Sequence, residues 1–235
     1  FEPQFFTQYG VNTQFVGHPL VKRIADPVDR IRACESLNVD PMKRYVALMP
    51  GSRKQELRRH TQLFGRVADA LIREFPDHEF LVGAVHSAAA DEINKTLGNL
   101  PMYEKARVIV GKSHDILAAS EAALVVSGTV TMEALVSKTP MVVAIRVAGL
   151  SYQILKRMLK TPFVAMPNVL AGRQIVAEFV QHEASVDNLS TAMKKCIGDR
   201  HWRQQFKESA DFIRDSLAPP GADIAAQSVL NLVDE

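Results

Sequence analysis

Ala122-Ala123-Leu124-Val125-Val126-Ser127-Gly128-Thr129-Val130-Thr131-Met132-Glu133 passes from one kind of local structure to another through a single turn. The unbroken apolar run 122–126 predicts a strand buried on both faces, as in a parallel sheet. Gly128 supplies a tight turn, and Ala134-Leu135-Val136 continue at helical spacing. Thr139-Pro140 then end the helix, and Met141-Val142-Val143-Ala144-Ile145 reads as the next strand. In a parallel α/β sheet a strand-to-helix turn lies at the carboxyl edge, where ligands bind. Two hydroxyls and the backbone N–H groups of a helix N-terminus suit a phosphate there. Glu133, one turn further, suits the vicinal hydroxyls of a sugar, so the pattern points to a nucleotide sugar. A simple helix cap is the competing reading. A capping box would need Glu or Gln three residues after the cap, but Val130 follows Ser127 and Met132 follows Thr129 at that distance. Glu133 is therefore not explained as a cap, yet the motif alone leaves both readings open.

Outward from this stretch, strand and helix patterns alternate. Strands are expected at Tyr45–Met49, Glu79–Val85, Arg107–Val110 and Phe163–Met166. Helices are expected at Lys54–Phe75, Ala88–Leu97 and His114–Ser120, the first with Leu57, Phe64, Val67, Leu71 and Ile72 on one face. From Arg173 the pattern turns helical, over Arg173–Gln181, Asp187–Ile197, Trp202–Leu217 and Ala222–Val233. Regular βα alternation implies an α/β fold with a doubly wound parallel sheet. Residues 1–20, with Phe15-Val16-Gly17-His18-Pro19, read as a terminal strand of another unit plus a linker, and residues 21–235 as the main domain. The chain opens on Phe1 without Met, which suggests a fragment of something longer.

A second turn repeats the geometry of the first. Pro50-Gly51-Ser52-Arg53 closes the Tyr45–Met49 strand and opens a helix, offering a close backbone approach at Gly51, a hydroxyl at Ser52 and a guanidinium fork at Arg53. By itself it is an ordinary turn with a solvated arginine; two such turns on one sheet edge suit the two ends of a nucleoside diphosphate. Pro167-Asn168-Val169-Leu170-Ala171-Gly172-Arg173 is a third candidate, with a plain Pro/Gly loop as its simpler reading. In Leu150–Lys160, Leu150, Ile154, Leu155, Met158 and Leu159 form a stripe, with Lys156, Arg157 and Lys160 on a basic side. That segment suits an anionic lipid surface, with a helix packed on the sheet as its plainer reading.

Other chemistries find no support. Gly111-Lys112-Ser113 imitates the end of a phosphate-binding P-loop, but its first glycine would fall at Ala106. No G-x-G, D-x-D, H-E-x-x-H or G-x-S-x-G spacing occurs, and His86 and His114 stand isolated. Cys34 and Cys196 have no metal-ligand spacing. No metal or cofactor is expected. The 235 residues carry a net charge of +2, with 47% hydrophobic and 23% charged residues. That balance is ordinary for a globular protein and makes no case for nucleic acid.

Taken in order, Gly17-His18-Pro19, Pro50-Gly51-Ser52-Arg53 with Glu56, Ser127-Gly128-Thr129 with Glu133, Pro140-Met141-Val142-Val143 and Pro167-Asn168 with Gly172-Arg173 resemble lipid A disaccharide synthase. The likeness runs from about Phe1 to Val233. It implies the donor-binding half of a glycosyltransferase built from two Rossmann-like domains. That family joins UDP-2,3-diacylglucosamine to 2,3-diacylglucosamine 1-phosphate, with inversion, releasing UDP. The resemblance places Gly51, Ser52, Arg53, Ser127, Gly128, Thr129, Thr131 and Glu133 on UDP, with Glu133 on its ribose. It puts Arg53, Asn168 and Arg173 at the reaction centre. Lipid substrates imply peripheral contact with the cytoplasmic face of the inner membrane through Lys156, Arg157 and Lys160; a homodimer stays open. The family's general base belongs to the amino-terminal half, and neither Tyr9 nor His18 is assigned that role. Lys22 and Ser120-Glu121 depart from the family pattern. A UDP-sugar epimerase and a non-catalytic nucleotide-binding module are the rival readings.

Overall fold

A computed structural model describes residues 6–11, 13, 15–16, 29–148, 162–218 and 230. The elements run α1 (Arg30–Leu37), β1 (Arg44–Met49), α2 (Lys54–Ile72), β2 (His78–Ala84), α3 (Ser87–Leu97), β3 (Ala106–Val110) and α4 (Ser113–Ala119). They continue with β4 (Ala122–Val126), α5 (Thr129–Val136), β5 (Met141–Ile145), α6 (Met166–Ala171), β6 (Ala177–Val180), α7 (Val186–Gly198) and α8 (Arg200–Leu217). The six strands among the described residues are parallel, in the spatial order β3-β2-β1-β4-β5-β6. This is a doubly wound, Rossmann-like sheet whose order reverses between β1 and β4.

Period-2 alternation along each strand splits the core into two layers. Ala47, Leu81, Val125 and Val143 face a layer with Cys34 of α1, Ile116 of α4, Met132 of α5 and Phe206 of α8. Val46, Leu48, Phe80, Leu124 and Val142 face the other, with Leu57, Phe64 and Val67 of α2, Ile93 of α3 and Leu189 of α7. Each such Leu, Val or Phe removed from water contributes roughly 1.5–3 kcal/mol. β4 is buried at every position, as its unbroken apolar run requires. Cys34 and Cys196 are buried free thiols.

Four sequence expectations are corrected. Residues 162–165 are irregular rather than a strand: the Val164 and Ala165 N–H groups donate to the Glu178 carboxylate (3.1 and 2.7 Å) and α6 begins at Met166. Residues 173–181 do not form a helix. Ala177–Val180 is instead a strand on the edge of β5, where Phe179 and Val180 suit pairing better than a helix turn. Phe6–Gly10 is a helical turn rather than a strand, and Phe15-Val16 has no regular structure. Helix α1 has no counterpart among the expected elements; it is short and buries only Ala33, Cys34 and Leu37. The candidate helices 150–160 and 222–233, and Gly17-His18-Pro19, lie outside the described residues.

Candidate functional site

The turns after β1 and β4 meet across the point where the strand order reverses. Together with the ends of β2 and β3 they line a cleft of about 380 Å³ that includes Gly51, Ser52, Arg53, Glu56, Ser127, Gly128, Thr129 and Glu133. Sequence reasoning missed two contributors, Gly83 to Val85 at the end of β2 and Gly111 with Ser113 after β3, although both close apolar runs at the same sheet edge.

The β4 turn is open toward the cleft. Gly128 precedes α5 in an extended conformation that any residue adopts (φ 161°), and a Cβ built on it meets nothing within 4 Å. The fold does not demand glycine there; glycine keeps a backbone surface bare beside the first N–H groups of α5. Those groups carry the partial positive charge of the helix end. Ser127 Oγ donates a long bond to the Val164 carbonyl (3.4 Å), and Thr129 is exposed. Glu133 sits one turn along the same face. Its Oε2 is buried and has no hydrogen-bond partner among the described residues. A buried carboxylate oxygen left unmatched is costly, and a hydroxyl donor entering the cleft would satisfy it. His114 stands close to Glu133, with its Nδ1 3.0 Å from Ser137 Oγ; burial lowers the imidazole pKa, against the opposing pull of Asp115 and Glu133.

The β1 turn is organised differently. Gly51 takes φ 119°, a left-handed value that favours glycine. Glu56 folds back over it, and its Oε2 accepts from the N–H groups of both Ser52 (3.0 Å) and Arg53 (3.2 Å). Its other oxygen lies 3.7 Å from the Arg53 guanidinium, whose side chain is 85% exposed. The turn's amides are thus engaged by an internal carboxylate, and Arg53 is the group left to reach a diphosphate.

Three expected site residues do not face this cleft. Thr131 is fully buried, and its hydroxyl closes the turn by donating to the Gly128 carbonyl at 2.7 Å. Asn168 is fully buried. Its carbonyl accepts from the Ile175 and Val176 N–H groups (2.7 and 2.9 Å), and its amide donates to the Val176 carbonyl. No face of Asn168 is left for a sugar: it ties α6 to the approach of β6. Arg173 bonds Ser209 Oγ of α8 at 3.0 Å and lines a separate groove with Gln205 and Phe212. Lys156, Arg157 and Lys160 lie outside the described residues.

The order-reversed parallel sheet with an anion-suited cleft at its switch point defines a Rossmann-like α/β unit of the kind paired in two-domain glycosyltransferases. Solved structures share that fold. These include a Staphylococcus aureus MnaA–UDP co-structure (TM-score 0.58, 16% identity, covering 94% of this chain and 55% of that one). Another is WaaG, a glycosyltransferase involved in lipopolysaccharide biosynthesis (TM-score 0.55, 14% identity, 81% and 47% covered). The lipid-A-disaccharide synthetase family model matches residues 1–227, and the chain belongs to that family. A lipid-A-disaccharide synthase of Pseudomonas paraeruginosa strain PA7 is 40% identical over 235 residues, all of this chain and 61% of that protein. The chain therefore spans about 61% of its relative's length.

Proposed function

We propose that the full-length protein is an inverting glycosyltransferase. It joins UDP-2,3-diacylglucosamine to 2,3-diacylglucosamine 1-phosphate and releases UDP, with this chain holding the donor. Family membership supports this reading over an epimerase or a non-catalytic module. The observation that carries the site is the buried Glu133 Oε2, without a hydrogen-bond partner among the described residues, on the same cleft as the bare β4 turn and Arg53. The ribose hydroxyls donate to Glu133, and the diphosphate lies between the first N–H groups of α5 and the Arg53 guanidinium. Ser52, Ser127 and Thr129 add hydroxyl contacts beside it.

As the acceptor's hydroxyl attacks the anomeric carbon, the bond to the diphosphate breaks and negative charge grows on the departing oxygen. Donors already aimed at that oxygen stabilise the transition state without reorganising. The hydroxyl proton leaves to a base in the part of the protein beyond this chain. Residues 1–20 belong with that part, and residues 21–235 form the donor domain. Lipid substrates place the protein peripherally on the cytoplasmic face of the inner membrane. Among the described residues no helix is long and apolar enough to cross a membrane.

In the full-length enzyme, Arg53→Ala and Glu133→Ala are each expected to reduce turnover at least tenfold, about 1.4 kcal/mol of transition-state stabilisation. Wild-type rates in both variants would overturn the assignment.

A further inference from the structure

A second cleft of about 650 Å³ opens on the far side of α2 from the first, with a different electrostatic character. Arg58, Arg59 and Arg66 line it from α2, and Arg146 lines it from the end of β5. No carboxylate is among its lining residues. Among the described residues only Arg58 of these four has an ion pair, a loose one to Glu92 at 3.9 Å. Arg59 reaches only the Gln55 amide (3.3 Å), and Arg146 donates to the Ala184 carbonyl (2.7 Å). A merely solvated helix face would scatter its cations. Here α2 turns them toward a wall built by other elements.

That wall is held firmly. Gln181, a non-glycine residue at φ 56°, clamps residue 147 from both sides: its Oε1 accepts from the Val147 N–H (3.0 Å) and its Nε2 donates to the Val147 carbonyl (3.1 Å). Such a backbone conformation is strained and persists where surrounding bonds enforce it. The backbone N–H of Arg146 donates to Nε2 of buried His60 (3.0 Å), whose Nδ1 is 2.8 Å from the Glu56 carbonyl. Through His60, the floor of this cleft is tied to the helix that also bears Arg53. Ser185, the N-cap of the 13-residue α7, completes the lining with a hydroxyl at a helix N-terminus.

From these features we infer that this cleft is a second anion site, built for a phosphate monoester. Four arginines from two elements line one cleft, and guanidinium pairs bidentately with phosphate oxygens. The positive end of α7 adds to the same field. The proposal stands on the arginine geometry and does not depend on the donor reading. It places two phosphate sites on one sheet edge, separated by the first turns of α2, so a sugar phosphate or a lipid headgroup phosphate binds beside a bound nucleotide.

The test uses the full-length protein in saturating UDP. Calorimetric titration of glucosamine 1-phosphate probes the soluble ester. Cosedimentation with phosphatidylcholine vesicles, with and without phosphatidic acid, probes the lipid-borne one. Arg59→Gln/Arg66→Gln is expected to weaken at least one of the two at least tenfold, with an unchanged melting temperature, and Arg59→Lys/Arg66→Lys to fall between. Loss confined to glucosamine 1-phosphate assigns a soluble ester, and loss confined to phosphatidic acid assigns a headgroup. The inference is overturned if the wild type binds neither probe, if neither affinity changes, or if the exposed pair Arg32→Gln/Arg73→Gln weakens binding equally. Whether UDP itself binds is read first in the same titration, so failure of the donor assignment shows separately.

Discussion

Asparagine 168 and glutamate 133 separate a residue that builds the site from one that serves it. Both are polar side chains within buried surroundings, and both sit on helices that follow the carboxyl edge of the sheet. The Asn168 amide is matched on both its carbonyl and its amino group. One Glu133 oxygen is matched by nothing in the described chain. A fully matched buried group contributes to the fold, whereas an unmatched one is tolerated where something outside the fold completes it. Asn168→Ala should strand the buried N–H groups of Ile175 and Val176, at roughly 1–3 kcal/mol for each buried group left unpaired. The expected result is a lower midpoint in urea denaturation, with unchanged UDP affinity in the folded fraction. A variant of wild-type stability and lost turnover would return Asn168 to the reaction centre.

At the scale of elements, the two glycine turns look alike in sequence and differ in what glycine does. Gly51 is needed by the backbone: φ is 119°, and an added Cβ would lie 2.5 Å from Glu56 Cβ and 2.7 Å from its Oε2. Gly128 is needed by neither criterion, since its φ is extended and its missing Cβ faces open space. Gly51→Ala should therefore destabilise the fold by about 1–3 kcal/mol through strain and displacement of Glu56. Gly128→Ala should unfold within about 0.5 kcal/mol of wild type yet, on the proposed donor site, bind UDP at least tenfold more weakly, because its methyl would occupy the open space beside the turn. Thermal unfolding beside UDP titration distinguishes the two, and equal loss of stability in both would refute the contrast.

The same comparison shows what the sequence makes legible. β4 and β5 coincide with their apolar runs, because a strand buried on both faces admits no polar residue. α2 is legible because its stripe repeats over many turns, although it ends at Ile72, three residues short of the expected Phe75. β6 is not, because it is short and partly exposed, and pairing with β5 rather than local pattern makes it a strand. The two turns that line the first cleft are legible from Gly and hydroxyl spacing. The capture of the β1-turn amides by Glu56, the burial of Asn168 and the arginine cleft are not, because each depends on side-chain direction or on residues far apart in the chain.

Across the whole molecule, the edge of the sheet opposite the first cleft carries a charge cluster that joins three strands to α8. Glu121, just before β4, lies 3.5 Å from His78 at the start of β2, 3.7 Å from Arg44 at the start of β1 and 4.0 Å from Arg203 of α8. The His78 imidazole, nearly fully buried and outside good hydrogen-bond alignment, together with Arg44 and Arg203, holds the Glu121 carboxyl below the usual glutamate range against the opposing effect of burial. Buried His60 contributes in the same direction through a different cause: burial, with Arg146 and Arg59 nearby, lowers its imidazole pKa. For both groups the folded state binds a proton less readily than the unfolded chain. The folded state therefore loses stability as pH falls, because the unfolded chain takes up protons first. The His60 part is fully present above the ordinary histidine value of about 6.5 and declines below it. The Glu121 part is fully present above the ordinary glutamate value of about 4.3 and is lost as pH falls toward its lower folded value. Stability should accordingly fall in two stages on acidification, the first as pH drops below the ordinary histidine value and the second in the carboxylate range. Replacing Glu121 with Gln should flatten only the second stage, and replacing His60 with Gln only the first, in urea unfolding measured across pH. An unaltered acid limb in Glu121→Gln would show that the cluster at the amino edge does not couple α8 to the sheet electrostatically.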